Sequence, residues 1–294
     1  IAVIDSGVDW GNDIDLEETI TLVPGEEEMS PLFMDGSGHG NSVAGLIAAK
    51  DNDEGITGIN PNAAIYSIRV LDDNNEAPLS RVIDGIYYAI SKKVDIINMS
   101  FGLDSYSESL KKAVDTAEDA GILVIAAAGN TGDNVQYPAA YDNVIGVRAG
   151  ILEKECGFWF SKSESVQCIM DCVTPVVAVP SNKYIMIPSC NSIAAARLTG
   201  IVSKMFWEKK TNKISYETVC DWLYDKALRN EWGESELSTR FRVPEKNDWF
   251  VENNDSILNE MYQVIGQYFE KRFSDKQICD IELLSLIHIS EPTR

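Results

Sequence analysis

The chain has 294 residues, 45% hydrophobic and 24% charged, with 25 lysines and arginines against 46 aspartates and glutamates, a formal net charge of −21. Such a composition describes a globular chain long enough for one large core and excludes a disordered one. The acidic surface repels phosphate, which speaks against a nucleic-acid partner, and no apolar run approaches the ~20 residues of a membrane span.

Residues 1–5 read as an apolar strand that ends on Asp5, with Ser6-Gly7 behind it. Residues 41–50 read as a helix of small and apolar residues, entered through Gly38-His39-Gly40. Residues 64–71 are a strand, and residues 80–92 carry helical spacing through Val82, Ile86, Tyr87 and Ile90. A buried strand over 94–99 and an amphipathic helix over 107–120, closed by Gly121, come next. Residues 122–128 are a continuous apolar strand leading into Gly129-Asn130, and 144–147 a shorter one. A helix follows Ser192 to about residue 207, and another covers 216–228. Strands apolar throughout and alternating with helices predict an α/β fold, a mainly parallel sheet covered on both faces. Ligands of such sheets bind beyond the carboxyl ends of the strands, which is where Asp5, Asn98-Met99-Ser100 and Gly129-Asn130 fall.

Residues 229–254 are polar and read as a connection, and 256–273 as a helical appendage through Ile257, Met261, Ile265, Tyr268 and Phe269. Residues 285–294 resemble a translated sequencing-adapter tail and are set aside as non-native. The expected organisation is therefore 1–228 for the main domain, 229–284 for the connection and appendage, and 285–294 for the tail.

Six cysteines, Cys156, Cys168, Cys172, Cys190, Cys220 and Cys279, form no C-x-x-C pair and have no His nearby in sequence. That pattern argues against zinc and reads as buried small apolar side chains. Unpaired cysteines and acidity lean towards a reducing, cytoplasmic compartment. Secretion stays open, because the chain starts without Met and inside a strand, so a signal peptide or propeptide is expected upstream.

Three segments carry chemistry. Asp5, His39 and Ser192 stand in that order, and a serine hydroxyl needs a base, which in turn needs an orienting partner. Besides His39, the sole histidine is His288 in the foreign-looking tail, so His39 is the usable base. Gly38 and Gly40 on either side leave its imidazole accessible. Ser192 precedes Ile193-Ala194-Ala195-Ala196, a helix start whose N–H groups can face a developing oxyanion. Asn130, after Ala126-Ala127-Ala128-Gly129, offers a side-chain donor to the same oxyanion. Each residue also has an ordinary use: Asp5 and Asn130 in turns, Ser192 as an N-cap. Together they point to nucleophilic acyl transfer.

These segments resemble those of the subtilisin-like serine proteases. Asp5-Ser6-Gly7 is similar to that family's aspartate motif, His39-Gly40-Asn41-Ser42-Val43-Ala44-Gly45 to its histidine motif and Asn191-Ser192-Ile193-Ala194-Ala195 to its serine motif. Ala127-Ala128-Gly129-Asn130 resembles the oxyanion segment, and Asn98-Met99-Ser100-Phe101-Gly102 the strand bordering the substrate cleft. The order Asp, His, Ser is the family's own, and the likeness runs from residue 1 to about 228. Departures concentrate at the serine: Cys190-Asn191 replace Gly-Thr, and Ala196 and Arg197 replace Pro and His. Asn41 and Ser42 depart in the histidine motif.

The resemblance implies a three-layer αβα fold and a serine endopeptidase acting through an acyl-enzyme. Catalytically impaired binding and maturation of a single peptide partner are the alternative readings. Substrate would lie along Ser100, Phe101 and Gly102, with Ala126, Ala128 and Gly129 walling a primary pocket roomy enough for a medium or large apolar side chain. No cofactor is required for the chemistry. The resemblance extends to a structural Ca2+ held by Asp15, Lys50, Asn52, Glu54 and Ile56, although a solvated acidic turn fits the same residues. Partners would be a peptide or protein substrate and an N-terminal propeptide, with the chain a monomer.

Overall fold

The computed structural model describes residues 1–230 apart from 12, 27, 53–54, 130–133, 153, 155, 173–174 and 210–214. Eight strands form one sheet in the order β2 (Leu16–Thr21), β3 (Ile65–Arg69), β1 (Ala2–Asp5), β4 (Ile96–Met99), β5 (Leu123–Ala127), β6 (Val144–Gly150), β8 (Cys168–Asp171), β7 (Phe158–Phe160). All neighbours are parallel except the edge pair β7 and β8. A separate antiparallel pair joins β9 (Val176–Val179) to β10 (Lys183–Met186).

Alternation along the strands creates two cores. Val3, Ile65, Ile96 and Ile125 face one side, under α1 (His39–Ala48) and α4 (Asn191–Lys209). Ile4, Ile68, Ile97 and Val124 face the other, under α2 (Leu79–Ser91) and α3 (Glu108–Asp119). Helix α5 (Tyr216–Lys226) adds Val219 and Leu223 to the first core. The result is the expected three-layer αβα arrangement. Its strand order reverses at β1, the place where such sheets open a crevice.

Two helix starts differ from expectation in ways that matter for the site. Helix α1 begins at His39 rather than at residue 41, and α4 begins at Asn191, so Ser192 stands in the first turn and not at its cap. Ser107, expected as the first helical residue, instead caps α3, its side chain accepting from the Leu110 N–H, and Gly121 follows with φ of 77°. Five strands were not predicted: β2, β7, β8, β9 and β10. Past residue 228 the chain still rides on the sheet. Leu228 N donates to Phe158 O at 2.8 Å, Phe160 N donates to Arg229 O at 3.1 Å, and the Arg229 guanidinium lies 4.7 Å from the Trp159 ring centroid. The predicted helix over 256–273 and the tail over 285–294 lie outside the described residues.

Candidate active site

Strands β1 and β4 end side by side, with Ile4 opposite Met99. One step further stand Asp5 and Ser100. Asp5 is fully buried, and its Oδ1 accepts from Ser6 N at 2.7 Å, Ser6 Oγ at 3.2 Å and His39 Nδ1 at 2.7 Å. Its Oδ2 has no hydrogen-bond partner among the described residues. The ring nitrogen facing a carboxylate carries the proton, which leaves Nε2 of His39 free to act as a base. The His39 side chain is 28% exposed, so the ring is reachable from solvent while the carboxylate behind it is sealed off. Burial disfavours the imidazolium, but the Asp5 charge and hydrogen bond outweigh it, with Asp35 adding to them, and the His39 pKa is raised above 6.5.

The start of α1 is held by residues that motif reading passed over. Its N-cap, Gly38, has no side chain to give, so the buried Asp35 carboxylate takes that role. Asp35 accepts from Gly38 N, Asn41 N and Ser6 Oγ, each at 2.8 Å. Burial raises its pKa in spite of those bonds, and burial does the same at Asp9. Asp9 Oδ1 accepts from Asp35 N at 2.8 Å, and Asn41 Oδ1 accepts from Asp9 N at 2.7 Å, so the departure Asn41 braces the helix start. Ser42 donates to Gly38 O at 2.9 Å and Ala178 O at 3.0 Å. Behind Asp5, Arg69 is fully buried and paired with both Glu26 oxygens at 2.7 and 2.9 Å, with Asp73 at 2.8 Å and with the Ser6 carbonyl. An aspartate four residues before the His was the one available sequence signal for this network.

Ser192 reaches the same rim from the other side. Its Oγ donates to Ser100 O at 2.8 Å, and its carbonyl accepts from Ser100 Oγ at 3.1 Å. No hydrogen bond joins Ser192 to His39 in this arrangement of the described residues. A buried chain ties β4 to α4: Ser100 Oγ to Asn98 Oδ1 at 3.0 Å, and Asn98 Nδ2 to Thr199 Oγ1 at 2.9 Å. Asn191, one of the departures, accepts from Ala149 N at 2.8 Å and donates to Gly129 O, clamping the helix start to β6 and to the end of β5. Arg197, another, is buried and donates to Asp171 O at 2.8 Å. Burial pushes the Cys190 thiol up to about 11, so it stays protonated and a poor nucleophile at neutral pH.

The other expected residues divide. Phe101 and Gly102 are half-buried beside Ser100, while Ala126 and Ala128 are buried, the Ala126 methyl in the core under α2 and α3. Among the described residues, the Gln136 side chain packs against both Gly102 and Gly129. Asn130 lies outside the described residues. So does Glu54 of the calcium set. Asp15 is 78% exposed with its carboxylate on the Lys50 ammonium at 2.6 Å, Asn52 is exposed and Ile56 is buried. A cation already answers Asp15, and the described residues hold no group of three or more His, Cys, Asp or Glu side chains able to bind a metal.

Residues 1–243 match the model of the subtilase family, Peptidase S8. The chain belongs to the subtilase family. Subtilisin amylosacchariticus of Bacillus subtilis subsp. amylosacchariticus is 40% identical over 188 residues, 62% of this subtilase and 47% of that protein. The minor extracellular protease Epr of Bacillus subtilis (strain 168) is 42% identical over 151 residues, 51% of this chain and 23% of that one. Sphericase shares the fold, with a TM-score of 0.66 at 21% identity over 76% of this chain and 82% of its own. The subtilase chain spans about half the length, 47%, of Subtilisin amylosacchariticus. Among its described residues no helix is long and apolar enough to cross a membrane.

Proposed function

We propose that this subtilase is a serine endopeptidase whose triad is Asp5, His39 and Ser192. The observation that carries the reading is the 2.7 Å bond from His39 Nδ1 to the buried Asp5, made where the Ser192 helix meets the end of β4. In this reading the Ser192 hydroxyl leaves Ser100 O and pairs with His39 Nε2 when substrate binds. Catalytic hydrogen bonds of this kind commonly tighten only when substrate is present. Nε2 then takes the hydroxyl proton as Oγ attacks the peptide carbonyl, and Asp5 stabilises the imidazolium that forms. His39 returns the proton to the leaving amine, and water repeats the sequence on the acyl-enzyme. The Ser192 N–H, at the positive end of α4, and the Asn130 amide receive the oxyanion. In subtilisin itself, loss of such an Asn donor costs about 10²–10³ in kcat.

An extended peptide lies along Ser100, Phe101 and Gly102 as an added strand. The place of action is extracellular, a reading supported by the name of the Epr relative and set against the cytoplasmic lean drawn from unpaired cysteines. Cys156, Cys168, Cys172, Cys190 and Cys220 are indeed unbridged, but burial alone accounts for the thiols of Cys168, Cys172 and Cys220.

A fluorophosphonate probe tests the activity. The folded protein is expected to label at Ser192 and to digest casein, with both lost in Ser192→Ala. Absence of labelling in well-folded protein overturns the hydrolase reading, and labelling with cleavage of one peptide but not casein restricts it to a maturation role.

A further inference from the structure

The turn after Asp5 and the segment before His39 meet at one buried cation. Arg69 stands opposite Asp5 in the register of β3 against β1, and its side chain is fully buried. Its Nη1 donates to the Ser6 carbonyl. The N–H and hydroxyl of Ser6 both donate to Asp5 Oδ1, at 2.7 and 3.2 Å. That same oxygen accepts from His39 Nδ1 at 2.7 Å. A line of contacts therefore runs from Arg69 through Ser6 and Asp5 to the His39 ring.

The remaining donors of Arg69 go to carboxylates. Nε and Nη2 donate to the two Glu26 oxygens at 2.7 and 2.9 Å, and Nη2 also to Asp73 Oδ1 at 2.8 Å. Such a fork fixes the plane of the guanidinium, which a lysine ammonium in the same place does not reproduce. Asp73 in turn lies on the bare face of Gly36. A Cβ built there would stand 2.9 Å from Asp73 Oδ2 and closer still to its Cγ and Oδ1. Gly36 belongs to the stretch Asp35-Gly36-Ser37-Gly38 that leads into α1. The one cation thus holds Asp5 through Ser6 and backs the approach to His39 through Asp73.

We infer that Arg69 is a positioning residue for the Asp5–His39 pair, acting through Ser6 on the carboxylate and through Asp73 on the segment that enters α1. Its effect on rate rests on the hydrolase reading. Glu26 and Asp73 answer its charge, so its action is geometric. Burial opposes the charge on His39, while Asp5 and Asp35 favour it, and a slack Asp5 gives up part of that support.

Two variants test this. Arg69→Met combined with Glu26→Gln removes one charge of each sign and leaves the net charge as it was. Arg69→Lys keeps the charge without the fork. Circular dichroism checks folding, the fluorophosphonate probe counts active sites, and a quenched peptide gives kcat, KM and the pH profile. Both variants are expected to lose about tenfold or more in kcat per titrated site at unchanged KM, since misplacement by about 1 Å can cost ~10²-fold. The acid limb of kcat/KM should move down towards about 6.5, and a proton NMR titration of His39 should move with it. A residue that only staples the fold would lower Tm and leave kcat per site and the acid limb in place. That result overturns the inference, as does a fall in kcat with no shift of the limb. Failure of both variants to fold overturns it too, because Arg69 then serves the fold and not the pair. If wild type does not label at Ser192 the hydrolase reading falls, and the NMR titration of His39 in wild type and variants decides by itself whether Arg69 positions the pair.

Discussion

His39 is pulled two ways. Burial opposes its charge, while the Asp5 carboxylate 2.7 Å away and the nearby Asp35 favour it, and the pKa is raised above 6.5. Two pH dependences of opposite sign follow. The folded chain binds the His39 proton more tightly than the unfolded one. The pairing therefore stabilises the fold fully below the unfolded pKa of about 6.5 and ceases to do so as pH climbs through the higher folded value. Activity needs the neutral ring, so kcat/KM rises with pH through that same raised pKa. Asp5→Asn should bring the acid limb down towards that of free imidazole and lower kcat by orders of magnitude. A wild-type limb at or below about 6.5 in the pH profile would contradict the pairing. His39 was legible in the sequence because so few histidines compete with it. Asp35, Asn191 and Gln136 were not, because an aspartate, an asparagine and a glutamine in polar stretches take their meaning only from what they face.

At the scale of elements, the site depends on how closely α1 approaches the turn after β1. Gly7 has φ of 106°, which glycine alone adopts easily, and a Cβ on Gly40 would run into the Gly7 backbone, 2.9 Å from its carbonyl carbon and closer to its oxygen. Backbone cannot swing away as a side chain can. Gly40→Ala should therefore destabilise the fold by about 1–3 kcal/mol. By displacing His39 from Asp5 it should also lower kcat more than it raises KM, read from thermal melts and steady-state kinetics. Unchanged values for both would mean that α1 is not seated by this contact. Most of the strands missed in the sequence were missed for separate reasons. Strand β2, Leu-Glu-Glu-Thr-Ile-Thr, is an edge strand with little burial past Leu16, and β7 has three residues. The turn between β9 and β10 uses positive φ at Ser181 and Asn182, 68° and 55°, without a glycine to signal it.

The whole molecule is acidic, at −21, and any added cation will screen that self-repulsion. A calcium effect must therefore be judged against another divalent ion. With Asp15 answered by Lys50 at 2.6 Å, Ca2+ is expected to raise Tm no more than Mg2+ does at equal concentration, by differential scanning fluorimetry. A larger shift with Ca2+ would support the expected site. The sequence alone determined the layered α/β architecture and the Asp5, His39, Ser192 order, because continuous apolar strands and the small residues around close backbone contacts leave local marks. Only the tertiary structure decided which carboxylate caps α1, that Arg69 lies sealed behind Asp5, that Ser192 rests on Ser100, and that Gln136 packs against Gly102 and Gly129. Those are contacts between segments far apart in the chain, and their geometry exists only once the sheet has brought its strand ends to one rim.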